Sequence, residues 1–254
     1  MNIGIAFSGG GSRGIAHIGV LKAFEEFNIK PMVLTGTSAG SIVGALYAYG
    51  YTAEEILEMV LKTKLLRILR PAFTKAGLLT LEKAYDFFRS ILPTDSFESL
   101  KIPLHICATN LKNGQPTFFS SGSLIRAVMA SSAIPVIFSP VEIDGIPYID
   151  GGITNNLPVE PLIGKCDKII GIHCNPVDKD YDMGNMKELL ERTFILAINE
   201  NVDNHRNVCD LYLEPYELKN YTAFDFAKAK DIFQIGYEYA LKNANLILSI
   251  KESI

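Results

Sequence analysis

Gly36-Thr37-Ser38-Ala39-Gly40 has the pattern GxSxG, and it lies where an apolar run, Pro31 to Thr35, gives way to helical spacing from Ile42 to Tyr49. On so tight a strand-to-helix turn a serine projects its hydroxyl above the sheet edge. Gly36 and Gly40 allow a turn that a Cβ would obstruct. The helix start behind the serine supplies free N–H groups and a positive dipole end. This arrangement suits nucleophilic attack by Ser38 on an acyl carbonyl. The plainer alternative is a glycine-rich turn whose serine caps the helix.

A second glycine loop, Gly9 to Gly14 (GGGSRG), also follows a strand-like run and opens a helix. It matches GxGxxG, but dinucleotide binding needs an acidic residue about 20 residues on, to hold a ribose. Val33, Leu34 and Thr35 stand there instead. The other use of such a loop is an oxyanion hole. In that reading the Gly10 and Gly11 amides face the oxygen that becomes negative when Ser38 attacks, and Arg13 adds a fixed positive charge nearby.

A serine nucleophile needs a base. Of the four histidines, His205 ends a polar helix, His173 lies in a buried strand, His17 sits in GIAHIGVL on the first helix, and His105 lies in another strand. None stands out, so a carboxylate must be considered. Asp150, followed by Gly151 and Gly152, comes directly after a hairpin strand. The two glycines let its backbone approach closely, and a partly dry setting would raise its basicity.

The elements that must position these residues begin as βαβα. Ile3 to Phe7 reads as a strand, followed by a helix bearing Ile15, Ile18, Leu21 and Phe24; the second strand and helix flank Ser38. The crossover rule makes the two strands parallel neighbours, so both glycine loops open at one edge of one sheet. Thr52 and Glu55 form a capping box for a helix to about Leu61, and another helix runs from Thr80 to about Leu92. Asn113-Gly114 and Asp144-Gly145 mark two hairpins, Leu104–Thr109 with Pro116–Ser120, and Val141–Ile143 with Ile146–Ile149. A helix over 123–131, a strand over 168–174, a helix from 186 to about 205, a strand over 211–213 and a closing helix from Asp225 to about Ile250 complete the pattern. The expected fold is α/β, three layers with a mostly parallel central sheet, as one domain over 1–254.

With 48% hydrophobic and 20% charged residues in 254, disorder is excluded, and a net charge of −4 argues against a nucleic-acid partner. Cys107, Cys166, Cys174 and Cys209 lie far apart without metal-ligand spacing and read as free thiols in a reducing compartment. MNIGIAFSGGG lacks the features of a signal peptide, so a cytoplasmic protein is expected. Pro31 to Ala53 carries no charge and is long enough to span a bilayer, yet its run of Thr, Gly and Ser at 35–41 breaks it into strand, turn and helix.

GGGSRGIAHIGVL (9–21), GTSAG (36–40), ASSAIP (130–135) and DGGITNNLP (150–158), in this order, resemble the four blocks of the patatin-like phospholipase family, particularly its small bacterial members. The resemblance implies a Ser38–Asp150 dyad in place of a triad. Gly10, Gly11 and Arg13 fall on the oxyanion block, with Gly9, Gly14, Gly36, Gly40, Gly151 and Gly152 as motif support. It also implies an α/β/α fold and hydrolysis of phospholipid, lysophospholipid or simpler acyl esters, with no cofactor and no metal. An acyltransferase using the same serine and a non-catalytic regulatory protein are the competing functions.

The stretch 59–81 holds no acidic residue, but has Lys62, Lys64, Arg67, Arg70 and Lys75 among leucines, so the rest of the chain carries the acidic excess. Such a segment either meets an anionic bilayer, covers the site as a lid, or is an ordinary helix with packed leucines and solvated lysines.

Overall fold

The computed structural model describes residues 1–63, 70–74, 77–80, 82–182 and 184–251. The strands are β1 (Ile3–Phe7), β2 (Pro31–Thr37), β3 (Arg70–Thr74), β4 (Gly77–Thr80), β5 (Leu104–Asn110), β6 (Gln115–Phe119), β7 (Val141–Ile143), β8 (Ile146–Asp150), β9 (Lys168–Ile172) and β10 (Leu211–Leu213). The helices are α1 (Ile15–Glu26), α2 (Ala39–Tyr49), α3 (Ala53–Lys62), α4 (Glu82–Ile91), α5 (Leu124–Ser131), α6 (Met186–Arg206), α7 (Ala229–Lys242) and α8 (Ala244–Ser249).

Strands β10, β9, β1, β2 and β5 run parallel in that order, and β6, β8 and β7 add antiparallel pairs at the β5 side. Side chains alternate along each strand, so the parallel strands feed two cores. Ile5, Phe7, Leu34, Ile170 and Ile172 pack on one face with α1, α2, α5 and α7. Ala6, Val33 and Ile169 pack on the other with Leu157, Leu162 and Val202 of α6. Helices therefore cover both faces, giving the expected three layers.

The register on β5 matters most for the site. Thr37, the last residue of β2, pairs with Cys107, and Asp150, the last residue of β8, pairs with Ala108. Cys107 and Ala108 also pair with Phe118 and Thr117 of β6, which occupies the opposite edge. Hence β2 and β8 share one edge of β5 and meet end to end. Two adjacent β5 residues hold the strand ends that deliver Ser38 and Asp150.

The uncharged stretch from Pro31 divides into β2, the turn at Ser38 and α2. Among the described residues no helix is long and apolar enough to cross a membrane. The Thr52–Glu55 capping box forms as expected, and Asp144 (φ 52°) with Gly145 (φ 73°) makes the tight turn between β7 and β8. Two expectations change. The closing helix is interrupted at Asn243 (φ −100°, ψ 16°), where the Tyr239 carbonyl accepts from both the Asn243 N–H at 3.2 Å and its Nδ2 at 2.8 Å. The basic stretch contains the two-stranded hairpin β3–β4 after α3 ends at Lys62; Lys64, Arg67 and Lys75 lie outside the described residues, and Arg70 begins β3.

Close packing of the α2 start against the end of β1 gives a testable consequence. A Cβ at Gly40 would sit 2.5 Å from the Phe7 carbonyl oxygen and 2.6 Å from that of Ser8, both main-chain atoms with little room to yield. Gly40→Ala should therefore cost about 1–3 kcal/mol, read as a lower urea midpoint. An unchanged midpoint would contradict this packing.

Candidate active site

Ser38 occupies the turn between β2 and α2 with φ 50° and ψ −121°, a backbone conformation that a non-glycine residue rarely adopts. Its surroundings hold it there. The Ser38 N–H donates to Ser131 Oγ at 2.8 Å, and the Ser131 hydroxyl donates to the Cys107 carbonyl at 2.6 Å. The Ser38 carbonyl accepts from the Ser41 N–H and hydroxyl and from the Ile42 N–H, at 2.9, 2.7 and 3.2 Å. The strained turn is thus fixed from both sides, and the hydroxyl is left to one partner.

That partner is Asp150. Ser38 Oγ donates to Asp150 Oδ2 at 2.6 Å, while the Gly152 N–H donates to Oδ1 at 2.8 Å. The carboxylate is 3% exposed, and burial pushes its pKa up to about 6, against the lowering effect of the Ser38 and Gly152 hydrogen bonds. Its main chain is tied down as well, by the Ala133 carbonyl at 2.9 Å and the Thr109 hydroxyl at 2.8 Å.

The histidines lie elsewhere. His17 Nε2 meets the Ser8 carbonyl at 2.9 Å, and burial pushes its pKa down to about 4. His173 Nδ1 pairs with Glu214 at 2.7 Å and His205 Nε2 with Glu160 at 3.1 Å. His105 on β5 is half-buried, which lowers its pKa. No histidine hydrogen-bonds to Ser38 among the described residues.

The glycine loop passes beside the serine. A Cβ at Gly9 would come 3.1 Å from Ser38 Cβ and 2.7 Å from Asn156 Oδ1, so a side chain at this position would fill the space next to the Ser38 turn. Arg13 of the same loop reaches other partners: its Nε donates to the Tyr221 carbonyl at 2.6 Å and its Nη2 lies 3.6 Å from Glu191. Burial lowers its pKa, with the Glu191 charge opposing. The neighbouring Ser12 donates from N–H and hydroxyl to the Ala223 and Thr222 carbonyls, at 2.8 Å each. Arg13 and Ser12 therefore stitch the loop to the segment 221–223.

Ala223, at the end of that segment, joins Ser38 and Gly11 in lining an apolar pocket of about 190 Å³. Ile42 and Leu46 of α2, Val60 of α3, Phe88 of α4, Ile137 and Phe224 form much of the rest. A hydroxyl with one carboxylate partner opens onto a greasy cleft, a setting for an ester with a hydrocarbon chain.

Several residues at the site carried little sequence signal. Ser131 stands in the ASSAIP block, but its hydroxyl relay from Ser38 to Cys107 depends on β5 lying beneath. Asn156, 1% exposed, packs between Gly9 and Gly152, and Asn201 of α6 donates to the Gly152 carbonyl at 3.1 Å and accepts from the Asn156 N–H at 2.8 Å. Asn175, just past β9, donates to the Gly9 carbonyl at 2.6 Å.

Comparison with known proteins places this geometry. The family model described as patatin-like phospholipase matches residues 5–163. An uncharacterised NTE family protein of Mycobacterium tuberculosis is 36% identical over 176 residues, 68% of this chain and 49% of that protein. The lysophospholipase NTE1 of Meyerozyma guilliermondii is 28% identical over 94% of this chain and 19% of its own length. The chain thus spans about half the length of the mycobacterial relative. Among solved structures, VipD from Legionella pneumophila aligns with TM-score 0.63 at 13% identity, over 95% of this chain and 66% of that one. Human GIVD cytosolic phospholipase A2, in complex with methyl gamma-linolenyl fluorophosphonate, aligns with TM-score 0.52 at 13% identity, over 98% and 58%. At such identities the likeness is one of fold. The family match is one of sequence; it spans both Ser38 and Asp150, and by it the chain belongs to the patatin-like phospholipase family.

Proposed function

We propose that this chain hydrolyses acyl esters of lipids through a Ser38–Asp150 dyad and an acyl-enzyme. The observation that carries the reading is the 2.6 Å hydrogen bond from Ser38 to a buried carboxylate, at the edge of an apolar pocket. A lysophospholipase relative aligned over 94% of the chain supports the lipid substrate class.

As Ser38 Oγ attacks the ester carbonyl carbon, its proton passes to Asp150 Oδ2, the C–O bond forms and the carbonyl electron pair moves onto oxygen. The Gly10 and Gly11 N–H groups, which meet no acceptor among the described residues, receive that oxyanion. Collapse expels the alcohol, which takes the proton back from Asp150, and leaves the acyl group on Ser38. Water then attacks in the same way, giving its proton to Asp150; the fatty acid leaves and Ser38 recovers its hydrogen. Arg13 serves by holding the loop against segment 221–223.

A carboxylate of ordinary acidity is a poor base for a serine. Raised to about 6, Asp150 is ionised at neutral pH yet accepts a proton more readily. We also propose peripheral contact with anionic membrane through Lys62, Lys64, Arg67, Arg70 and Lys75, in a cytoplasmic setting, on the strength of their acid-free, leucine-rich stretch. Lys62 is 77% exposed there and pairs with Glu58.

Turnover of a p-nitrophenyl acyl ester tests the dyad. Ser38→Ala and Asp150→Asn should each lower kcat by about 1,000-fold or more, with His173→Ala near wild type. The wild-type rate should rise about tenfold per pH unit up to about 6 and then level. An active Asp150→Asn beside a dead His173→Ala would overturn the dyad.

The same shift has a stability signature of opposite sense. The folded state keeps the Asp150 proton between the ordinary carboxylate pKa and about 6, where the unfolded chain has lost it, so this group's contribution to stability falls as pH rises through that window. The cost is fully present above it, on the order of 3 kcal/mol at most. Asp150→Asn should then be no less stable than wild type at pH 8 by thermal unfolding, while inactive; a large loss of stability there would contradict the desolvation account. For the membrane contact, co-sedimentation with phosphatidylglycerol vesicles should weaken at high salt and on neutralising the five basic residues. Indifference to both removes that part of the reading.

A further inference from the structure

We propose that Asn175 aims the oxyanion donors: it is a positioning residue that fixes the direction of the Gly9–Gly10 peptide from behind. The inference rests on the hydrolase reading above. In the sheet, β1 lies between β9 and β2, so the loop leaving β1 has the end of β9 on one side and Ser38, at the end of β2, on the other. Asn175 comes from the β9 side. Its Nδ2 donates to the Gly9 carbonyl at 2.6 Å, and Cys174 Sγ lies 3.2 Å from the same oxygen.

In a trans peptide the carbonyl and the following N–H point in opposite directions. With the Gly9 oxygen drawn toward β9, the Gly10 N–H is turned toward β2 and the serine. The next peptide repeats the device: the Gly10 carbonyl accepts the Arg13 N–H at 3.2 Å, and Gly11, whose own N–H is thereby opposed, borders the pocket. Three successive glycines carry no side chain that could hold these planes, and a Gly9 carbonyl rotated toward Ser38 would present a negative dipole end to the developing oxyanion. The restraint must come from outside the loop.

Asn175 is suited to supply it. It is 1% exposed, its own carbonyl accepts from Asn199 Nδ2 of α6 at 3.0 Å, and the preceding Cys174 N–H donates to Ser8 Oγ at 3.0 Å. A carbonyl oxygen requires a donor, so the amide NH₂ end is the one that faces Gly9.

The test uses the full chain and Asn175→Asp, which keeps the shape but sets an oxygen against the Gly9 carbonyl. The readouts are kcat and KM on a p-nitrophenyl acyl ester at pH 8 and the inhibition constant of an alkylboronic acid, which binds a serine as a tetrahedral anion. We expect kcat to fall about 30- to 300-fold with KM within about threefold, and boronate affinity to fall by a similar factor as kcat. Should Asn175→Asp not fold, Asn175→Ser removes the contact without adding charge and carries the same expectation. Wild-type kcat and boronate affinity, or a loss confined to KM, would overturn the positioning role. Ser38→Ala run in parallel separates the two readings: if it keeps full turnover the hydrolase reading itself fails, whereas an inactive Ser38→Ala beside unaffected Asn175 variants sinks the role of Asn175 alone.

Discussion

The hydrogen bond between Ser38 and Asp150 is the contact on which the rest of the site depends, and it exists because β2 and β8 end against neighbouring residues of β5. One strand arrives parallel to β5 and the other antiparallel, so their last residues converge from opposite directions on one edge. A slip of β8 by one residue would carry the Asp150 side chain to the other face of the sheet and break the pair. The register is secured from several sides: β6 closes the far edge of β5, and Thr109 holds the Asp150 carbonyl.

Around that bond the structure keeps two local tensions. Ser38 is held at a positive φ by Ser131 behind it and by the first turn of α2 ahead of it. Asp150 is held in a dry site that disfavours its charge, with hydrogen bonds on both oxygens that offset the cost in part. Neither arrangement would persist in a loosely packed region, and both lie where the sheet is buried on two faces. Helix α6 extends this support across the site, since Glu191, Asn199 and Asn201 reach segment 223, Asn175 and the Gly152 loop in turn.

Much of this was legible in the sequence because the motifs are local. GTSAG announces a strand-to-helix turn, Asp144-Gly145 a hairpin, and Thr52 with Glu55 a helix start, each through rules that act over a few residues. The order of β1 and β2 followed from chain crossover handedness. The site's supporting polar groups were not legible, for a physical reason: Ser131, Asn156 and Asn175 act over separations in sequence that only the folded sheet brings together. Arg13 illustrates the limit from the other side. Its place in the glycine block gave no sign of its partners Tyr221 and Glu191, which lie more than 170 residues on. The hairpin β3–β4 was likewise hidden, because strands of five and four residues, Arg70–Thr74 and Gly77–Thr80, are too short to show a clear period of two.

The central claim is that Ser38 is the nucleophile and that Asp150 alone serves it as base. Reaction with an alkyl fluorophosphonate followed by peptide mass mapping tests this most directly, because the reagent reports on serine activation without requiring turnover. The account predicts a single adduct on the peptide bearing Ser38 in the wild type, and labelling of Asp150→Asn slower by about 100-fold or more. An adduct on another residue, or an Asp150→Asn variant labelled at the wild-type rate, would contradict it.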